Sequence, residues 1–562
     1  MLFIFRRISQ LVLLLFLITP WVYADGLKQA AVATAHPMAT QAGIDILKKG
    51  GNAFDAAAAI SASLAVVEPY SSGIGGGGFW LVHRVSDNKT VMIDGREKAP
   101  ILAKKDMYLD KNGEVIQGLS INGAKAAGIP GTIAAIDLLV KHYGKLSMKE
   151  VLAPAIKQAE KGFKVTPRYQ KLLGYRSSVM QQYPEAAAIF MRDNTIPELD
   201  TLIVQKDLAN TLKAVVKKGK AGFYEGDIAV KLVKSVKKNG GIWSLEDLKN
   251  YDVVERQPIQ FNYHDMKITS ASLPSSGGIV LAQTLQMLED FDLNSLSSID
   301  RKHVVIEAMR RAYRDRAAYL GDSDFVDVPL DRLLDANYIE GMAVTIDINQ
   351  VTPSSQLSDI KTDNSLGEDT THFSVMDSEG NRVSATLSIN LPFGSGFVAE
   401  GTGVVLNNEM DDFSVKPLTA NSYGLVGDAA NAIAPKKRPL SSMTPSFVED
   451  DERIAVLGTP GGSRIITMVL LGILDFADGK LPASWVSVPR YHHQYLPDEV
   501  QFELNGLSSA EQKQLKNKGH TLNEKSRQYG NMQAVMYWKQ KGLKFAASDP
   551  RGEGAAEVVT LP

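Results

Sequence analysis

The sequence predicts a layered α/β fold. Segments with helical spacing and segments with strand chemistry interleave along the whole chain, which is the pattern of helices packed on sheets. The composition is that of an ordinary globular protein, with 562 residues that are 44% apolar, 22% charged and 7% aromatic. That length allows two to four domains or one large α/β body, and no internal repeat or low-complexity tract points elsewhere. Sixty-one basic against 63 acidic residues give a net charge of −2, so the basic footprint of a non-specific nucleic-acid binder is missing. The absence of cysteine removes disulfides, thiolate nucleophiles, zinc ribbons and iron–sulfur clusters together.

In chain order, Arg6 and Arg7 precede an apolar run from Leu11 to Ile18, and Val22-Tyr23-Ala24 supplies small residues at a cleavage position. Residues 1–24 therefore read as a secretory signal peptide cut after Ala24. The run is short for a span of about 20 residues, so no stable membrane anchor is expected and the mature protein is expected in the periplasm or outside the cell. Pro37 to Lys49 predicts a helix, with Pro37 in its first turn and Gly50-Gly51 ending it. Asn52 caps AFDAAAAISASLAVV, apolar on every side and so a buried helix. A glycine run and the strand-like FWLVHRV follow. Ser147-x-x-Glu150 opens a helix to Phe163, and further helices fall around Leu208–Lys218, Ile228–Lys238, Ile279–Leu288 and His303–Leu320.

After Val351 the texture changes. Residues 352–369, TPSSQLSDIKTDNSLGED, are polar and without an apolar period, which reads as an exposed linker. Thr370–Met376 and Arg382–Asn390 then predict a hairpin around Asp377-Ser378-Glu379-Gly380-Asn381. Arg453–Gly458 predicts a strand, Pro460-Gly461-Gly462 a tight turn, and Ser463–Phe476 a helix.

Two motifs that invite a cofactor do not support one. Gly73-Ile74-Gly75-Gly76-Gly77-Gly78 satisfies G-x-G-x-x-G, but a helix precedes it and a strand follows, the reverse of a dinucleotide site; close backbone packing accounts for it better. His492-His493 are neighbours whose side chains diverge, with no third ligand at a suitable spacing. No metal and no cofactor is expected.

Asp369-Thr370-Thr371-His372 is different, because a polar linker ends where a strand begins. If the bond between Asp369 and Thr370 were cut, Thr370 would become an N-terminus whose own α-amine, with an ordinary pKa of about 7.7–8.0, can take the proton of its hydroxyl. The hydroxyl can first attack the preceding carbonyl and so cut its own chain. Gly461 and Gly462, between a strand and a helix, offer bare amides for an oxyanion. Arg96 can grip a carboxylate with two parallel hydrogen bonds. Glu409, Asp411 and Asp412 form an acidic cluster suited to an ammonium, and Ser441 and Ser442 offer hydroxyl donors. One cationic and one acidic end together fit an amino-acid zwitterion.

In order along the chain stand SSGIGGGGF, DGREKAP, LPSSGG, YLGDSDFV, DTTHFSV, SINLPFGSG, LNNEMDDFS, YGLVG, KRPLSSM, GTPGGSRII and SDPRGEG. Together they resemble the gamma-glutamyltranspeptidase (gamma-glutamyltransferase, glutathione hydrolase) family from about residue 28 to the C-terminus. The resemblance implies a four-layer αββα sandwich of the N-terminal nucleophile hydrolase type, and a proenzyme that cuts itself into two subunits forming one body. Here they would be a large subunit, 25–369, and a small subunit, 370–562, which begins with the nucleophile. It implies Thr370 as nucleophile, Gly461 and Gly462 as oxyanion donors, and Ser388 as a hydroxyl beside the nucleophile where some members carry Thr. Arg96, Ser441 and Ser442 would hold the α-carboxylate of a γ-glutamyl group. Asn390, Glu409 and Asp412 would hold its α-amine, with Glu409 standing where some members have Gln. NSYGLVGDAANAIAPKKRP resembles the lid of lidded members, with Tyr423 at the pocket edge.

The expected partners are glutathione and other γ-glutamyl compounds as donors, with water, amino acids or dipeptides as acceptors. Two other readings compete. One is a cephalosporin or glutaryl acylase on the same scaffold. The other is a non-catalytic periplasmic peptide-binding protein, which would remain one uncut chain.

Overall fold

The computed structural model describes residues 28–357, 370–416 and 419–562. The signal segment 1–24, Asp369 and the bond joining it to Thr370 lie outside the described residues. Among the described residues no helix is long and apolar enough to cross a membrane.

Two antiparallel sheets lie at the centre. The first has seven strands in the spatial order Ala555–Thr560, Gln29–Thr34, Thr371–Met376, Arg382–Ser388, Gly77–Arg84, Lys89–Asp94 and Val254–Arg256. The second has six, in the order Leu543–Ser548, Gln533–Trp538, Arg453–Gly458, Ser446–Glu449, Met266–Ser270 and Ile259–Tyr263. Side chains of the first sheet alternate between two cores, as the period of a strand demands. Ala30, Val32, Trp80 and Val82 join the helices Pro37–Lys48, Ala53–Val67 and Met148–Lys161. Ala31, Ala33, Phe79 and Leu81 join the second sheet, behind which pack Gly277–Leu288, Ser298–Tyr319 and Ile465–Ala477. The result is the αββα sandwich.

Most local expectations are met for the reasons given. All fifteen residues of the helix Ala53–Val67 are buried, and Asn52 and Asp55 close its capping box. Ser147 and Glu150 do the same for Met148–Lys161. The expected hairpin forms between Thr371–Met376 and Arg382–Ser388, though its second strand stops two residues short of the expected Asn390, whose φ of +73° leaves the extended region. The glycine run serves close approach: a Cβ on Gly76 would stand 2.2 Å from the Ser388 carbonyl oxygen, and one on Gly77 2.3 Å from that of Gly95.

Three expectations need correction. The helix placed at His303–Leu320 begins five residues earlier, at Ser298, capped by Ser297, whose hydroxyl accepts from the Asp300 amide. The helix expected from Ser463 opens with a single 3₁₀ turn, Gly462–Arg464, and turns α-helical at Ile465. The linker is not exposed from its first residue. Ser354 is fully buried, donating from its amide to Asp498 (2.7 Å) and from its hydroxyl to the Tyr495 carbonyl (2.7 Å) while accepting from Arg310 (2.7 Å). Its hydroxyl and amide were read as polarity when they are buried hydrogen-bonding groups with partners.

Candidate active site

The pairing of Leu387 with Thr371 sets the register at one end of the first sheet, so that Ser388 lies across from Thr370. Beyond it the chain turns sharply at Asn390, which has φ +73°, into a cavity of about 310 Å³. Thr370, Ser388, Asn390, Arg96, Asp412, Tyr423, Ser441, Ser442 and Gly462 line it. Nine of the residues singled out in the sequence therefore meet at one place, from segments nearly 370 positions apart.

Each is held by its own framework. Asp94, at the end of its strand, accepts from the Arg96 amide (2.9 Å) and from the Arg256 guanidinium (2.8 Å), and forms an ion pair with the Arg438 guanidinium (3.3 Å). Asp322, in the YLGDSDFV motif, accepts from the Arg438 amide (2.8 Å). The LPSSGG segment pairs with Ser441 through Ser276 N–H to Ser441 O (2.9 Å) and Ser441 N–H to Pro274 O (2.8 Å). These motifs, whose role was opaque in the sequence, fix the loop that carries Ser441 and Ser442.

The hydroxyls are oriented. Ser388 Oγ accepts from the Asn390 amide (2.7 Å), Ser441 Oγ from the Met443 amide (3.1 Å), and Ser442 Oγ from the Arg316 guanidinium (3.2 Å). An oxygen already accepting leaves its own O–H free to donate elsewhere. Arg316 was not foreseen. It lies in the charged helix Ser298–Tyr319, which buries Arg310, Arg311 and Arg316 alike, so no spacing marks it out. It lines the cavity and also donates to Ser276 Oγ (3.0 Å).

The ionic groups are arranged differently from the simple expectation of one cation facing one acid patch. The fully buried Arg96 guanidinium is paired with Glu409 (2.8 Å) and with Asp412, and its Nε donates to the Pro439 carbonyl (3.3 Å). Burial opposes its charge, but Glu409 and Asp412 outweigh burial and hold its pKa above the ordinary value. Burial pushes the carboxyls of Glu97 and Glu409 up, against the attraction of Arg96. Glu409 sits behind Arg96 and does not line the cavity. Asp411, read as part of the acidic cluster, turns away. It accepts from the Ser120 hydroxyl (2.7 Å) and the Ser422 amide (3.0 Å) and so anchors the loop before Tyr423.

That loop covers the site. Tyr423 is nearly buried, and its hydroxyl donates to the Asn390 carbonyl (2.8 Å). Its ring rests on Gly462, where a Cβ would come within 2.2 Å of Tyr423 Cδ1; Gly462 also has φ +57°. Only glycine meets both demands. The amides of Gly461 and Gly462 donate to no other described residue, which leaves them available to a ligand. Gly462 faces the cavity, whereas Gly461 faces a second depression on the other side of the turn. Among the described residues no group of acidic and histidine side chains is arranged to hold a metal. His492 is fastened between Thr467 (2.9 Å) and Gln494 (2.9 Å), and His493 contacts Asp498 (3.2 Å).

The model of the gamma-glutamyltranspeptidase family matches residues 39–559. The chain is 42% identical over 529 residues to the glutathione hydrolase proenzyme of Escherichia coli (strain K12), covering 93% of this chain and 90% of that protein. It is 36% identical over 562 residues to the glutathione hydrolase proenzyme of Bacillus subtilis (strain 168), covering 95% and 92%. Among solved structures, cephalosporin acylase from Bacillus halodurans superposes with a TM-score of 0.83 at 26% identity, over 94% of this chain and 96% of that one. A chain of Helicobacter pylori gamma-glutamyltranspeptidase matches with a TM-score of 0.56 at 42% identity, over 57% of this chain and 93% of its own.

Proposed function

Because the chain belongs to the gamma-glutamyltranspeptidase family and is a γ-glutamyl acyltransferase and hydrolase, we propose that it is exported, cuts itself before Thr370, and uses the freed threonine to cleave glutathione and related γ-glutamyl compounds. The observation that carries this reading is the meeting of Thr370, an Arg96–Asp412 pair and the Gly462 turn around one cavity.

The chemistry follows from the groups present. The α-amine of Thr370 takes the hydroxyl proton as Oγ attacks the γ-carbonyl, with the Ser388 hydroxyl able to donate to the nucleophile. Charge that develops on the carbonyl oxygen falls to the amides of Gly461 and Gly462. The amine leaves with a proton, and water or a second amine resolves the ester. The γ-glutamyl α-carboxylate binds Arg96 and the free O–H groups of Ser441 and Ser442; its α-ammonium binds Asp412 and Asn390, with Glu409 behind. Since Arg96 is already paired with Asp412 and Glu409, a zwitterion enters by sharing each partner. The buried site never holds an uncompensated charge, which would be costly.

The test is release of the anilide from a γ-glutamyl anilide, with and without glycylglycine. Release stimulated by glycylglycine is expected, and no release from the purified, processed protein would sink the proposal. The likeness to an acylase supports a second reading, in which the acyl group lacks an amine. Asp412 and Glu409 oppose it, because such a group brings them no ammonium and leaves Arg96 alone to balance two carboxylates. A glutaryl anilide should therefore turn over about 10⁴-fold more slowly, as a site built for a polar group rejects the analogue that lacks it. Equal rates would favour the acylase. A non-catalytic binding protein would stay one chain and release nothing.

A further inference from the structure

A depression of about 770 Å³ opens between the turn at Tyr263-His264, the end of the helix Gly277–Leu288 and the end of the helix Ile465–Ala477. Its floor is apolar, made by Tyr263, Leu293 and Leu474, all buried, with the half-buried Phe291 beside them. Its rim is acidic. Glu289, Asp292 and Asp478 stand there against one guanidinium, that of Arg301, which Asp478 already holds (2.8 Å). The side chains of Glu289 and Asp292 accept from the backbone amides of His264 (2.6 Å) and Asn294 (3.3 Å). Neither pairs with a basic side chain among the described residues.

These carboxylates stand where the fold gains nothing from them. Gly277–Leu288 ends at Glu289, with Asp290 and Asp292 just beyond, and Ile465–Ala477 ends at Asp478. A helix C-terminus carries partial negative charge and favours cations, so acids at both ends add repulsion. Tyr263 is a second, independent mark of a ligand. It is only 2% exposed, yet its hydroxyl has no hydrogen-bond partner among the described residues, and a buried polar group without a partner is rare. Burial pushes its pKa up to about 12, and Arg301, Glu289 and Asp478 all act on it electrostatically, so the phenol oxygen looks into the depression among those groups.

We propose that this depression is a binding site for a protonated organic amine with an apolar, aromatic body. The ammonium sits between Glu289 and Asp292, at the negative ends of the two helices, and donates to the Tyr263 hydroxyl. The body lies on Phe291, Leu293 and Leu474, in a space within the range of small-molecule pockets; the rings of Tyr263 and Phe291 attract a cation as well as hydrocarbon. A bare metal ion fits less well, because among the described residues no acidic and histidine side chains are arranged to ligate one. The site is separate from the catalytic cavity. The helix Ser298–Tyr319 presents Arg301 here and Arg316 there, while Ile465–Ala477 presents Leu474 here and Ile465 there. At 1.5 Å per residue the helix between the two arginines is roughly 20 Å long, so the amine leaves the γ-glutamyl pocket open.

The test is isothermal titration calorimetry of the purified protein with N,N-dimethylphenethylamine, 2-phenylethanol and 3-phenylpropionate. The tertiary nitrogen of the first is protonated at neutral pH but cannot form an amide, so it is no acyl acceptor. The amine should bind about tenfold more tightly than the alcohol, since two carboxylates and two helix ends favour its charge, and the carboxylate should bind more weakly still. E289Q and D292N should each weaken the amine about two- to fivefold and leave the alcohol unchanged. Both lie on the exposed rim, where the fold does not depend on them. Y263F should weaken the amine by a similar factor, as loss of one hydrogen bond does, and added salt should narrow the preference for the amine over the alcohol. Equal affinity for amine and alcohol overturns the ligand class. A preference for the amine that survives the E289Q/D292N double variant overturns the site, and no heat of binding from the amine at millimolar concentration overturns both.

Discussion

Gly462 shows how much can be asked of one position. Its φ of +57° and the Tyr423 ring above it exclude any side chain, and its amide is proposed to face the oxyanion. Gly462→Ala should lower kcat by about 100- to 1,000-fold, the scale of losing one oxyanion donor, with a smaller change in KM. A KM effect of equal size would move Gly462 from chemistry to binding. Thr370→Ala should remain a single chain on a denaturing gel and be inactive; normal processing in that variant would remove Thr370 from self-cleavage. Arg96→Lys replaces a planar fork by a point charge in a site where the fork already serves Glu409 and Asp412. It should raise KM for γ-glutamyl substrates by about tenfold or more, since a charge-assisted hydrogen bond is worth about 1.5–3 kcal/mol. An unchanged KM would take Arg96 out of the site.

Elements deliver these residues, and the lid is the one most open to manipulation. Its approach is tied by Asp411 to Ser120 and to the Ser422 amide, and Asn421 accepts from the amides of Tyr423 (2.9 Å) and Leu425 (3.1 Å). Asp411→Ala removes two hydrogen bonds and should loosen the cover over Gly462. KM should rise about fivefold, with protection of the Tyr423 and Leu425 amides from exchange falling alongside. Unaltered exchange would show that the loop is held by other contacts.

At this scale the sequence was legible wherever one local rule decided. Asn52, Ser147 and the proline at position 37 announced helices that form within two residues of the expected bounds. The site was legible through motifs, although their tertiary purpose was not. That Asp94 and Asp322 hold Arg438, and so the serine loop, depends on partners more than 100 positions away. Asp411 looked like a ligand because its neighbours are acidic, and only the turn of the chain shows it facing the lid.

For the molecule as a whole, burial sets the response to pH. The Glu97 carboxyl, wholly buried beside Arg96, is raised above its ordinary 4.5 by desolvation. Its contribution to stability is therefore fully present below pH 4.5 and is lost as the pH climbs through the raised value. Buried His36, His83 and His493 are lowered by desolvation from 6.5 to about 4. Their contribution is present above 6.5 and lost as the pH falls towards 4. Stability should peak between these limbs. Glu97→Gln should flatten only the alkaline one, so the variant's Tm should rise relative to wild type from pH 5 to pH 8; a constant difference would place the proton elsewhere.

The order of strands in the first sheet has one more consequence. Gln29–Thr34 lies between Thr371–Met376 and Ala555–Thr560, so the head of the chain is threaded between two stretches that follow the proposed scission. Breaking the backbone before Thr370 would leave that weave intact. The two fragments should survive dilution and gel filtration as one particle and melt in a single transition, parting only when the sheet itself is undone.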